Sequence, residues 1–200
     1  MSTRFQLGIS VFAALLASAA VAPAQAAVTV IGGGMARACY EAVEYQKVPG
    51  EKAIEVCTMA LDQEVLSRRD KAATYTNRGI LHMRAGRNQR ALWDYQKGIA
   101  LMPDLYEAKV NLGAALYGLE RYTEALAALN EGVLTDSVDA RAIGFYNRGL
   151  CYEKLGNLQQ AYEDFRRALN TNPEFKQAAM QMERFTVVPA SQQQTEEKPG

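Results

Sequence analysis

One pattern recurs three times in this chain at nearly constant spacing, and it constrains the fold more than any other feature. An Asn-x-Gly triplet ends at Gly79, at Gly113 and at Gly149, so the spacings are 34 and 36 residues. Each glycine is followed twelve residues later by an alanine and four residues after that by a large residue: Ala91 and Tyr95, Ala125 and Leu129, Ala161 and Phe165. A period in this range predicts a solenoid built from one repeated supersecondary unit.

Each period has the pattern of two helices joined by a short turn. Pro103 and Pro173 stop the second helices of the first and third units, because proline cannot continue the helical hydrogen-bond ladder. A glycine inside a helix costs about 1 kcal/mol relative to alanine, so its recurrence indicates a close approach between the paired helices. The predicted units are 72–105, 106–141 and 142–175.

The three units resemble the tetratricopeptide repeat. The residues that carry the resemblance are Tyr75, Gly79, His82, Ala91, Tyr95, Gly98 and Pro103 in the first unit, and Phe145, Gly149, Tyr152, Ala161, Phe165, Ala168 and Pro173 in the third. The middle unit departs from the pattern at Lys109, Gly132 and Ser137. Residues 35–66 look like a divergent first repeat. The resemblance implies an all-α, right-handed α-solenoid of antiparallel helix pairs, closed by a capping helix at 176–186.

The N-terminus has the layout of a secretory signal peptide. Phe5 to Val21 is almost wholly apolar or small, and Ala24-Gln25-Ala26 offers an A-x-A cleavage site. The alternative is a transmembrane anchor, which the short, alanine-rich apolar run disfavours. We therefore expect residues 1–26 to be removed, and the mature protein, beginning near Ala27, to be periplasmic or secreted.

Composition sets further limits. Lysine and arginine together number 22, as do aspartate and glutamate, so no basic excess favours nucleic acid. Three cysteines and one histidine are too few for most zinc sites, and we expect no metal and no cofactor. No later apolar stretch is long enough to span a bilayer. Residues 27–34 are expected to form a flexible lead-in, and residues 187–200 a disordered tail.

The resemblance implies that the first helices line a concave groove. Every clear repeat places an asparagine there, at Asn77, Asn111 and Asn147. An amide both donates and accepts, so a ladder of asparagines suits the main chain of an extended peptide; the alternative is that asparagine is simply common at this position. The neighbouring groove residues are Thr76, Ile80, Tyr146 and Leu150, without the lysines and arginine with which family members clamp a C-terminal carboxylate.

Two other features mark candidate sites. Cys39 and Cys57 fall on facing helices of the first hairpin, and in an exported protein they favour a disulfide over two buried thiols. Trp93 stands at a position that normally faces outward on the convex side. It is either a partner contact or a contact with the neighbouring first hairpin.

No nucleophile or paired carboxylate accompanies these features, so we expect a non-enzymatic protein. The sequence predicts an interaction scaffold of the bacterial envelope that binds a peptide or protein in its groove. The alternatives are an accessory or enzyme-associated subunit in envelope assembly, and a self-associating structural module. The oligomeric state stays open.

Overall fold

A computed structural model describes residues 8–10, 23–46 and 50–188. Within these ranges the chain forms nine α-helices and two short strands. The helices are α1 (Gly34–Tyr45), α2 (Gly50–Gln63), α3 (Arg68–Arg84), α4 (Asn88–Leu101), α5 (Tyr106–Gly118), α6 (Tyr122–Gly132), α7 (Val138–Lys154), α8 (Leu158–Thr171) and α9 (Lys176–Met182). The strands are β1 (Gly8–Ser10) and β2 (Thr186–Val188).

The helices pack as consecutive pairs that stack on one another. α1 pairs with α2, α3 with α4, α5 with α6, and α7 with α8, and each pair packs against the next. Helix α9 packs on α8 and ends at Met182, four residues before the end of the predicted cap. The predicted α-solenoid of helix pairs is confirmed.

The recurring glycines lie where the two helices of a repeat touch. A Cβ atom at Gly79 would lie 2.5 Å from Cε1 of Tyr95, and one at Gly149 would lie 2.7 Å from Cε1 of Phe165. Both rings are fully buried. The glycine and the large residue of the pattern are thus one packing unit, in which the ring fills the space that a side chain would need.

The all-α prediction omitted a small β-element. Strands β1 and β2 pair antiparallel, with Gly8 opposite Val188 and Ser10 opposite Thr186. β2 includes two residues of the predicted tail, while 189–200, like 1–7 and 11–22, lie outside the described residues, as does most of the predicted signal peptide. Among the described helices, none combines the length and apolar character that crossing a bilayer requires.

Residues 27–33, predicted as a flexible lead-in, are held against the helices for most of their length. Residues 27–33 run extended along the inner side of the solenoid, and Val28 and Val30 are buried there, at 5% and 0% exposure. The composition, with three consecutive glycines, suggested freedom, but buried side chains from distant helices hold this stretch. Helix α1 then begins at Gly34.

The turns inside the repeats differ in strain. Gly86 and Gly156 take left-handed conformations, with φ of 72° and 79°, and the middle repeat has Glu120 there at φ 60°. A non-glycine residue pays about 1 kcal/mol or more in this region. We expect Glu120→Gly to raise the free energy of unfolding by about 0.5–1 kcal/mol in urea titrations. Gly86→Ala should act in the opposite direction, and equal, unchanged midpoints for both variants would contradict the argument.

Candidate functional site

Three asparagines bind the main chain of the extended N-terminal segment. Oδ1 of Asn77 accepts from the amide of Val28 at 2.9 Å, and its Nδ2 donates to the carbonyl of the same residue at 2.7 Å. Asn111 makes the same two bonds to Ala26, at 2.9 and 2.7 Å. Asn147 makes them to Ala24, at 3.0 and 2.8 Å. We call these three bonded pairs the rungs of the asparagine ladder.

The ladder reads alternate residues of an extended chain. Each asparagine comes from the first helix of its repeat, α3, α5 or α7, and each rung advances the bound segment by two residues, or about 6.6 Å. Both bonds of a rung go to one residue's N–H and C=O, as in a pair of β-strands, so the contact does not depend on the side chain. The segment runs from the third repeat towards the first.

Side chains of the segment alternate between the groove floor and solvent. Ala26, Val28 and Val30 are buried, whereas Thr29 and Ile31 are exposed. Val28 and Val30 pack in one apolar cluster with small wall residues: Ala36, Ala60, Ala72, Ala73 and Ala108. The floor therefore accepts alanine- or valine-sized side chains at every second position, and the side chains of Thr29 and Ile31 point away from it.

Two carboxylates fix the far end of the segment. Asp70 accepts from the amide of Ile31 at 2.9 Å, and Glu64 accepts from the amides of Met35 and Ala36 at 2.6 and 3.0 Å, at the start of α1. Burial works against ionisation of Asp70, but hydrogen bonds from Ile31, Ser67 and Gly32 lower its pKa below the ordinary value. The sequence reading missed both residues, because only the tertiary structure brings 64 and 70 next to 31–36.

The other predicted groove residues divide into two groups. Thr76 is wrongly assigned: its hydroxyl donates to the carbonyl of Ala72 at 3.0 Å, and the side chain faces α4 at Gly98. Ile80 belongs to the apolar cluster against which Ala27 packs, and Tyr146 and Leu150 belong to the cluster against which Ala24 packs. Ile80, Tyr146 and Leu150 therefore line the core under the segment. Contact between these residues and an external partner stays a prediction.

The sequence analysis also missed two ion pairs whose carboxylates are buried. Arg78 donates to both carboxylate oxygens of Asp94, at 3.0 and 2.7 Å, and Arg148 does the same to Asp164, at 2.6 and 2.9 Å. Each pair joins the two helices of one repeat. The sequence does contain a sign of these pairs, because the arginine and the aspartate are either both present or both absent in a repeat. The middle repeat has Leu112 and Ala128 at the two positions.

Trp93, on α4, lines a pocket of about 470 Å³. The ring is 49% exposed, packs edge-on against Tyr75 at 6.0 Å, and shares the pocket with Ile54 and Thr58 of α2. The tryptophan therefore stands beside the first hairpin and still faces solvent. A partner contact at Trp93 stays a prediction.

His82 is buried at 7% exposure, and burial lowers its pKa below the ordinary value. Its Nε2 is 3.8 Å from Asp94. Across the part of the chain that the structure describes, no three or more His, Cys, Asp or Glu side chains are grouped to hold a metal ion.

Cys39 of α1 and Cys57 of α2 face each other. Their Cα atoms are 4.8 Å apart and both side chains are fully buried. This separation lies in the usual range for a disulfide. Cys151 is a separate, buried thiol in α7, and burial raises its pKa to about 12.

Comparison with known proteins identifies the repeat and the fold. Residues 142–175 match the tetratricopeptide repeat family model, over the same range as the third predicted unit. The chain is 34% identical to the SGT1 homologue of Oryza sativa subsp. japonica over 91 residues, which are 46% of this chain and 24% of the rice protein. The chain thus spans about a quarter of the length of that curated relative.

Solved structures share the architecture. The crystal structure of MamA aligns with a TM-score of 0.60 and 21% identity, over 76% of this chain and 82% of MamA. The second tetratricopeptide domain of human RPAP3, solved in complex with an HSP70 peptide, aligns with a TM-score of 0.53 and 26% identity, over 58% of this chain and 96% of that domain. Residues 142–175 therefore match a tetratricopeptide repeat, and the described helix pairs share the stacked α-solenoid fold of these structures.

Proposed function

We propose that this protein is a non-enzymatic scaffold that binds an extended segment of another polypeptide in its groove. The observation that carries the proposal is the asparagine ladder, in which Asn77, Asn111 and Asn147 each bond both main-chain groups of one residue. Residues 24–30 show the geometry that such a segment would adopt. The RPAP3 domain bound to its HSP70 peptide supports peptide binding as a use of this fold.

The floor of the groove defines the class of segment. A partner needs small or β-branched apolar side chains at alternate positions, as at Ala24, Ala26 and Val28, and it needs free main-chain amides at those positions. Proline there would remove a donor, and large or charged side chains would meet the buried alanine wall. Recognition through the main chain gives broad rather than narrow sequence specificity.

The protein is proposed to act in the bacterial envelope after export. The apolar N-terminal run with its A-x-A site supports export, and the facing cysteines suit an oxidising compartment. N-terminal sequencing of the protein recovered from the envelope fraction of a bacterial host should read from Ala27. Recovery of an intact N-terminus from the cytoplasm would contradict the proposed location.

Binding is tested with the peptide PAQAAVTVI, which copies residues 23–31. Fluorescence anisotropy with the exported protein should show binding that weakens at least about tenfold when all three ladder asparagines are replaced by alanine, since each rung loses two hydrogen bonds. Asn170→Ala is the matched control, because Asn170 is exposed on α8. Circular dichroism checks that the triple variant stays folded. Equal affinities for a folded triple variant and the parent would overturn the proposed function.

A further inference from the structure

We infer that residues 24–31 are a built-in ligand of the groove, and that cleavage of the leader after Ala26 opens two of its three rungs to an external segment. The inference rests on the proposed function and names what controls access to the same site. It begins from the observation that the segment bonded to the ladder contains the predicted cleavage site, Ala24-Gln25-Ala26.

In the uncleaved chain the ladder is fully occupied. The three asparagines are at 0% exposure, and every amide group among them has its partner in residues 24–28. The segment joins α1 through only Gly32 and Gly33, so its local concentration at the groove is about millimolar. An external segment of equal intrinsic affinity would therefore need about millimolar concentration to displace it.

The cleavage position divides the ladder unequally. Ala24 and Ala26, on the leader side, supply the ligands of Asn147 and Asn111. Val28, on the mature side, supplies the ligand of Asn77. Hydrolysis of the 26–27 bond, with water as co-reactant, leaves a carboxylate on Ala26 and an amine on Ala27. The leader is then a separate molecule without a tether, so at low concentration it does not fill the two rungs.

The mature part of the segment has its own anchors. Ile31 donates to Asp70, and Val30 is fully buried beside α1 and α3. Residues 28–31 therefore stay in place after cleavage and keep the first repeat occupied. The open part of the groove lies along α5 and α7, and the fitting partner is an extended segment with small side chains at two alternate positions.

Cleavage has to precede folding. Ala26 is at 7% exposure, and both of its main-chain groups are bonded to Asn111, so the folded groove shields the scissile bond from a protease. A leader peptidase reaches this bond while the chain is still extended, as during export. A chain that folds uncut stays closed, and a chain that is cut first folds with two free rungs. The order of the two events therefore fixes the state of the groove.

The test compares the uncut chain, made by cell-free synthesis, with the processed protein from a bacterial envelope. The probe is the peptide PAQA, which copies residues 23–26 and so carries only the ligands of the two opened rungs, measured by fluorescence anisotropy. We expect the processed form to bind at least about tenfold more tightly than the uncut form, because the tethered competitor has lost two rungs. In the uncut chain, hydrogen exchange of the Ala24, Ala26 and Val28 amides should be slow, and Asn111→Ala should accelerate that of Ala26 most.

A pair of substitutions in the uncut chain separates occupancy from processing. Ala26→Glu puts a carboxylate against the buried floor and should release the segment, so peptide affinity rises towards that of the processed form. Thr29→Glu adds the same charge at an exposed position and should leave peptide affinity unchanged. The peptide could bind the uncut, processed and Ala26→Glu proteins equally tightly, with the asparagines required in each. That result would overturn the built-in ligand and leave the proposed function intact. Absence of Asn-dependent binding in all three would overturn both.

Discussion

Replacing Arg78 by leucine is expected to lower the free energy of unfolding by about 3–5 kcal/mol, because it leaves a buried carboxylate without its partner. The side chain of Asp94 is 1% exposed, and Arg78 donates to both of its oxygens. Burial raises the pKa of Asp94, and the hydrogen bonds from Arg78 oppose that shift. Urea titration monitored by circular dichroism measures the loss.

The middle repeat predicts how the loss is repaired. It has Leu112 and Ala128 at the positions of the pair, so the same helix contact exists there in apolar form. The double variant Arg78→Leu/Asp94→Ala should therefore be more stable than Arg78→Leu alone, with a coupling energy of about 2–3 kcal/mol. A double variant as unstable as the sum of the single ones would show that the pair does not act as a unit.

The loss of unfolding free energy in Arg78→Leu should depend on pH, and the equivalent substitution in the third repeat should have a smaller effect. With Arg78 absent, the folded-state pKa of Asp94 lies further above its unfolded value, so the folded chain binds the extra proton. The destabilisation is then small in acid, and it grows as the pH rises from the unfolded-state pKa of Asp94 to its folded-state pKa. Arg148→Leu should cost less than Arg78→Leu, because Arg167 also donates to Asp164, at 2.9 Å.

Removing the Cys39–Cys57 pair is expected to cost about 3 kcal/mol. The two cysteines are 18 residues apart in sequence, and a cross-link across such a loop lowers the conformational entropy of the unfolded chain by about this amount. The double variant Cys39→Ala/Cys57→Ala should unfold at lower urea concentration than the parent under oxidising conditions. Adding a reductant should lower the urea midpoint of the parent to that of the variant, and it should leave the midpoint of the variant unchanged.

Cys151→Ala provides the control for this experiment. Its thiol is buried with a pKa of about 12, so it has little thiolate to exchange with a disulfide, and the reductant response should persist without it. Peptide mapping of the parent without reductant should recover Cys151 alone as a free thiol. Recovery of Cys39 and Cys57 as free thiols from protein purified under oxidising conditions would contradict the pairing.

The local sequence pattern was enough to predict the fold and the position of the asparagines. The spacing of Gly79 and Tyr95 reports a contact inside one hairpin, and such short-range contacts repeat in sequence as they repeat in space. Thr76 was misassigned because one residue of shift on a helix turns a side chain by about 100°. Here that turn takes it from the groove towards α4.

The partner of the ladder was not readable from the pattern. The sequence predicted that asparagines 77, 111 and 147 suit an extended main chain, but residues 24–28 carry no mark of a ligand beyond small side chains. Their small residues, followed by Gly32–Gly34, indicate a cleavage site and a flexible linker. Both interpretations use only neighbouring residues in the sequence. The bonds that hold them come from residues 49 to 123 positions away.

The sequence by itself determined the α-solenoid, its repeat boundaries near Pro103 and Pro173, and the asparagine in each first helix, because these follow from periodicity and local sterics. Only the tertiary structure decided what lies in the groove. Stacking three repeats aligns three amides at the spacing of alternate residues in an extended chain, and that alignment binds the segment before α1. No single repeat contains this information, since each supplies one rung.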